Sequence, residues 1–237
     1  MKYCSLLVEK QGYTCEEHLV TTQDGYVLSM QRIPVGLSNS SSPENRPPVL
    51  LQHGLFVDGA TWALLPPNQS LAFVLADSGF DVWIANTRGT KYSLQHSSLS
   101  PKSSDYWNWS WDELAEYDLS ATIKYVNNHT GQKMHYVGHS QGSLIALAAF
   151  SKHDLADSLR SASLLSPIAY LSHITSIARF FAESSFAESS PPFYDMSRIP
   201  NDIPLFFSNG GADALSDVED VKHWLQTFNI MIKISLL

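Results

Sequence analysis

Apolar and polar positions along this chain alternate between strand-like and helix-like periods. His18–Thr22 and Tyr26–Ile33 read as two strands, with Gln23-Asp24-Gly25 as the turn between them. Leu37–Pro48, rich in Ser, Asn and Pro, reads as an exposed loop. Val49-Leu50-Leu51 is an unbroken apolar run ending in Gln52-His53-Gly54, the form of a buried parallel strand entering a loop. Leu71–Asp77 predicts a helix closed by Gly79, and Phe80–Ala85 predicts the next strand. From Asp112 to Asn127, Leu114, Ala115, Leu119, Ile123 and Val126 recur at helical spacing. Met134–Val137 and Ser161–Leu165 read as strands, with the Ala-rich helix Ser143–Phe150 between them. Pro204–Asn209 reads as a strand, Gly210-Gly211-Ala212-Asp213 as a loop and Val218–Phe228 as a helix. Asn229–Leu237 is an apolar tail of strand-like composition.

A hairpin followed by alternating strands and helices predicts an α/β fold: a mostly parallel central sheet with helices on both faces. The expected organisation is a single domain, 1–237. It comprises an N-terminal hairpin (12–34), a core (48–175), an interrupting stretch (176–196) and a final segment (197–237). Within the interruption, Ala182-Glu183-Ser184-Ser185-Phe186 is followed at once by Ala187-Glu188-Ser189-Ser190, a near-duplication that reads as a loop or a join.

Composition narrows the function. Of 237 residues, 44% are hydrophobic and 16% charged, enough apolar material for a sizeable core. The net charge of -8 argues against a nucleic-acid partner, which needs a basic face. The two cysteines, Cys4 and Cys15, are either a local bridge or two free thiols. Asn39, Asn68, Asn108 and Asn128 each begin an Asn-x-Ser/Thr sequon, pointing to the secretory route. No signal peptide and no bilayer-spanning apolar run is visible.

The strongest chemical signal is Gly138-His139-Ser140-Gln141-Gly142, a G-x-S-x-G nucleophile elbow with a predicted strand before it and an apolar helix after it. Such a turn needs glycines at both flanks, because strand and helix approach too closely for a Cβ. Ser140 is then the nucleophile, and the architecture is the α/β-hydrolase fold. Acyl transfer also needs donors for the developing oxyanion. The Gln141 N–H, at a helix N-terminus, is one. The Leu55 N–H, in His53-Gly54-Leu55-Phe56 after the strand Val49–Leu51, is the other. In this fold the acid follows the serine, and Asp213 in its Gly-rich loop fits; the bland reading is a cap for the next helix. The only histidine after Asp213 is His223, on a predicted helix that would have to unwind to let it act as base. His135 and His139 lack the carboxylate or cysteine that would complete a metal site. Tyr106, Trp107, Trp109 and Trp111 read as packing at a helix start, with Asp105 and Asp112 offering N-cap oxygens.

Taken together, Gly12-Tyr13, Thr21–Tyr26, Leu51–Leu55, Asp81–Thr90, Trp109–Glu113, Tyr136–Gly142 and Gly210–Ser216 resemble the acid lipases of the gastric and lysosomal type. Within that family the chain is most similar to the plant triacylglycerol-lipase-like members. The resemblance runs almost continuously from Gly12 to Thr175 and resumes over Pro191–Phe228. It implies hydrolysis of triacylglycerols, sterol esters or small esters, with no metal or organic cofactor, and contact with a membrane or lipid-droplet surface. It implies a secreted, vacuolar or lysosomal location. Members carry a signal peptide, a large cap before the acid and a catalytic histidine well beyond it. Here the expectation is a shortened version: a cap reduced to 176–196, and no family-like histidine loop. The alternative function is therefore a catalytically impaired lipase-like protein that binds lipid or a partner.

Overall fold

In the strand β2 (Tyr26–Ile33) almost every side chain is buried, because both faces of the sheet are covered there. Its neighbour β1 (Glu16–Thr21) lies at the edge, and only alternate residues (Glu16, His18, Val20) turn inward. The computed structural model describes residues 3–37, 46–152, 155–167, 195–200, 202–210 and 233–236. The remaining strands are β3 (Pro48–Gln52), β4 (Asp81–Ala85), β5 (Gln95–His96), β6 (Met134–His139), β7 (Leu159–Leu165), β8 (Leu205–Asn209) and β9 (Lys233–Leu236). Among the described residues the α-helices are α1 (Leu71–Asp77), α2 (Trp111–Glu113), α3 (Ser120–Thr130) and α4 (Gln141–Lys152).

The sheet order is β1-β2-β4-β3-β6-β7-β8-β9, with the short β5 pairing β2. The pairs β1–β2, β2–β4 and β2–β5 are antiparallel; β4–β3, β3–β6, β6–β7, β7–β8 and β8–β9 are parallel. The fold is thus the α/β-hydrolase arrangement that the sequence predicts. The tail expected to be strand-like supplies β9.

Alternation along the central strands divides the core in two. Leu50, Trp83, Met134 and Tyr136 face a cluster built on α3 and α4. Val49, Leu51, Val82 and Ile84 face a second cluster with α1 and the N-terminal residues Tyr3, Val8 and Tyr13. β3 and β4 are buried at every position, as strands covered on both faces must be. The N-terminal segment is tied down by a Cys4–Cys15 disulfide, which decides between the two readings of those cysteines.

The helix predicted over 112–127 is longer and less regular. It runs from Trp111 to Thr130, with π-type turns over Leu114–Leu119 joining α2 to α3. Its N-cap is Ser110, not Asp112: the Ser110 hydroxyl accepts from Asp112 N, and Glu113 accepts from Ser110 N in a full capping box. The Asp112 carboxylate pairs with Lys152 instead. Ser103, not Asp105, caps the short turn before it. A hydroxyl two residues upstream had the better reach in both cases.

After β4 the chain crosses back over β3 to reach β6. The strand order therefore reverses between β3 and β6, and their carboxyl ends frame a crevice of the kind in which open α/β sheets bind ligands.

Candidate active site

β6 runs straight into this crevice and stops at His139. Ser140 has φ of 52°, in the left-handed region that a residue with a Cβ seldom enters. Three backbone bonds hold it there. Ser140 N donates to Leu165 O at 2.9 Å, and Ser140 O accepts from Ser143 N at 2.9 Å and Leu144 N at 3.2 Å as α4 begins. The Ser143 hydroxyl adds a bond to Gly138 O at 2.9 Å. The flanking glycines are required by space: a Cβ on Gly138 would lie 2.7 Å from Gly142 backbone atoms, and one on Gly142 would lie 2.6 Å from Gln52 O.

The loop leaving β3 passes over the elbow. A Cβ on Gly54 would come within 3.2 Å of the Ser140 Cβ and 3.0 Å of His139 Nδ1, so Gly54 is what permits this approach. The next residues, Leu55, Phe56 and Val57, are exposed apolar side chains, and Phe56 also has positive φ, at 61°. The imidazole of His53 is buried against Gly54 O and Thr87 N. The Asn86 side chain accepts from Gly59 N at 2.9 Å and donates to Ser29 O and Gln31 Oε1. The loops after β3 and β4 are therefore fastened to each other.

The β4 loop has a buried ion cluster behind it. Arg88 reaches Asp24 Oδ2 at 2.6 Å and Asp118 Oδ1 at 2.7 Å, and its guanidinium stacks on Tyr26 at 3.9 Å. Burial pushes the Asp118 carboxyl up to about 6, against the pull of Arg88. Burial also works to raise Asp24, but the Arg88 and Thr22 hydrogen bonds outweigh it and leave that carboxyl below its usual range.

These loops border an open pocket of about 440 Å³. Leu55, Phe56, Val57, Trp107, Trp109 and Leu114 give it an apolar wall, and Gln141 brings the start of α4 to it. Trp107 and Trp109 thus do more than pack at a helix start. They line the pocket beside Gly89, where a Cβ would lie 2.8 Å from Trp109.

The structure brings together Ser140, Gln141, Leu55, Gly138 and Gly142. Asp213 and His223 lie outside the described residues. Sequence reasoning gave Asn86 and Arg88 no role, named His53 only as part of the loop segment and read Trp109 as packing. The available signal was the strand Asp81–Ala85 running directly into Asn86-Thr87-Arg88-Gly89 with no turn between.

A family model described as a partial alpha/beta-hydrolase lipase region matches residues 4–65, and one described as the alpha/beta hydrolase fold matches residues 47–190. "Triacylglycerol lipase 2" of Arabidopsis thaliana is 36% identical, over 95% of this chain and 78% of its own length. The chain belongs to the acid-lipase family of α/β-hydrolases. Among other acid-lipase relatives, "Triacylglycerol lipase 1" of Arabidopsis thaliana is 45% identical over 73% of this chain and 43% of its own. "Gastric triacylglycerol lipase" of Homo sapiens is 44% identical over 77% and 47%. The chain thus spans less than half the length of these last two relatives. The alignment with the first extends over 324 residues against 237 here, so that relative carries sequence with no counterpart in this acid-lipase chain. Among solved structures, an esterase of Pyrococcus furiosus superposes with a TM-score of 0.66 at 17% identity, covering 96% of this chain and 83% of that one. That likeness concerns the fold alone.

Proposed function

We propose that this acid-lipase chain is a lipid ester hydrolase that works through an acyl-enzyme on Ser140. The observation that carries the reading is Ser140 itself, held at positive φ on the elbow at the crevice, next to an apolar pocket. Backbone strain of this kind persists where surrounding structure over-determines it, and it clusters at functional sites.

In the proposed reaction the Ser140 Oγ attacks the ester carbonyl. The Gln141 and Leu55 N–H groups receive the oxyanion, the base carries the Ser140 hydroxyl proton to the leaving oxygen as the alcohol departs, and water, giving its proton to the same base, then releases the acid and restores the Ser140 hydroxyl. Asp213 is the proposed acid that orients the base. Triacylglycerols or sterol esters are the proposed substrates, since the relatives' names point to triacylglycerols and the pocket wall is apolar. Exposed Leu55, Phe56 and Val57 at the pocket, with Leu64 and Leu65 further along the same segment, support contact with a membrane or lipid-droplet surface.

A second reading is that His223, the histidine that follows Asp213 in these residues, does not serve as the base. A serine hydrolase whose base is out of place keeps roughly 10³–10⁴-fold acceleration over water, and the chain would bind lipid esters but turn them over slowly.

One experiment separates the readings. A fluorophosphonate should label Ser140, and hydrolysis of a short p-nitrophenyl ester should vanish in Ser140→Ala. If the folded chain neither labels nor turns over the ester, the hydrolase reading fails. Activity that survives His223→Ala excludes that histidine as base.

We also propose that the chain is made on the secretory route and resides outside the cell or in a vacuole or lysosome. The Cys4–Cys15 bridge suits an oxidising compartment, and the sequon residues Asn68, Asn108 and Asn128 are exposed. Source material whose mass is unchanged by an N-glycosidase would count against it.

A further inference from the structure

His53 stands immediately before the loop that passes over Ser140. Its imidazole is only 2% exposed and meets backbone groups at both nitrogens. Nδ1 lies 2.8 Å from Gly54 O, a group that only accepts. Nε2 lies 3.2 Å from Thr87 N, a group that only donates, and 3.3 Å from the Thr87 hydroxyl, which is able to donate as well. One form of the ring satisfies both sides: neutral, with its proton on Nδ1. Burial, outweighing the Gly54 carbonyl and the more remote Asp58, lowers the pKa of this histidine, in keeping with a neutral ring.

The Gly54 carbonyl belongs to the same peptide plane as the Leu55 N–H. Across a trans peptide these two groups point in opposite directions, and the described residues contain no cis bond. A glycine on one side of that plane leaves it little steric restraint. Holding Gly54 O therefore fixes where the Leu55 N–H points. We propose that His53 is a positioning residue: it holds the Gly54 carbonyl through Nδ1–H, anchors on Thr87 through Nε2, and so aims the Leu55 N–H at the oxyanion. The ring exchanges no proton with substrate. This inference rests on the reading of Ser140 as an acyl-transfer nucleophile.

Two substitutions separate the contacts. His53→Asn keeps an N–H near the Nδ1 position and loses Thr87. His53→Gln keeps an acceptor near the Nε2 position and loses Gly54. The Gln variant should lower kcat and the Ser140 labelling rate by about 10²-fold, the effect of losing one oxyanion donor, with KM little changed. The Asn variant should recover about tenfold of that loss. Equal losses in both variants, following their melting temperatures, would make His53 mere structural support and overturn the proposal. A second measurement is independent of turnover: ¹⁵N shifts of the His53 ring in the unsubstituted chain should show the neutral Nδ1–H form. An Nε2–H ring or an imidazolium at neutral pH overturns the proposal even in an active chain. An Nδ1–H ring in a chain that never labels at Ser140 sinks the hydrolase reading instead, and with it any positioning role.

Discussion

Gly142 is packed against the backbone carbonyls of Gln52 and His53, which would lie 2.6 Å and 2.9 Å from any Cβ placed there. Neither carbonyl has a flexible end that yields, so one methyl group must displace α4 or β3. Gly142→Ala is therefore expected to destabilise the fold by about 1–3 kcal/mol and to slow Ser140 labelling beyond what the melting temperature explains. Thermal unfolding beside labelling kinetics checks this; an unchanged labelling rate would show that the elbow tolerates the shift. At this scale the sequence exposed what spacing encodes. Gly138, Ser140 and Gly142 declared themselves because only one kind of turn needs that pattern. His53 did not, because a histidine after a strand looks the same whether its ring meets water or two backbone groups. The sequence pointed to Asp112 and passed over Ser110, since both residue types are good caps and only geometry chooses.

Edge strand β1 meets α3 through a group of aromatic and charged side chains. His18 bonds Tyr125 OH at 3.0 Å and Glu16 Oε2 at 3.1 Å, and its ring lies 5.3 Å from His129 and 4.8 Å from Trp83. Arg32 joins the group through Glu16 and through a 2.8 Å pair with Asp81. Burial lowers the His18 pKa; Glu16 opposes this, while His129 and Arg32 add to it. A histidine whose folded pKa is lowered gives stability that is complete above its ordinary pKa of 6.5 and is lost as pH falls through the folded value. Between about pH 7.5 and about pH 5, the parent should lose more stability than His18→Gln, by less than about 1 kcal/mol given partial exposure. Urea unfolding of both proteins at the two pH values tests this; equal losses would refute it. Asp118 has the opposite sign, its contribution being lost as pH rises through about 6, so the comparison with His18→Gln is what isolates the histidine. Helical periodicity found the element behind β1 but not its π-type turns, because apolar spacing averages over a local change of pitch.

Across the whole molecule, the parallel sheet was legible because apolar runs such as Val49–Leu51 and Val82–Ala85 lose alternation only when both faces are covered. Long-range fastening was not legible. The Cys4–Cys15 bridge steadies a segment whose Tyr3 hydroxyl donates to Gly59 O at 2.9 Å, in the stretch that follows the pocket loop. Replacing both cysteines by serine should cost about 3 kcal/mol on the chain-entropy account of a loop this short. The measurement is urea unfolding of the double variant, with Ser140 labelling alongside to show whether the pocket loop loosens as well; no loss of stability would mean that packing of Tyr3 and Val8 holds the segment alone. A longer fastening begins in the hairpin turn. Asp24 sits between β1 and β2, far from Ser140 in sequence, yet Arg88 connects it to a wall of the pocket. When natural variants of this chain are sorted, a change at Asp24 belongs with changes in the pocket wall rather than with harmless loop polymorphisms.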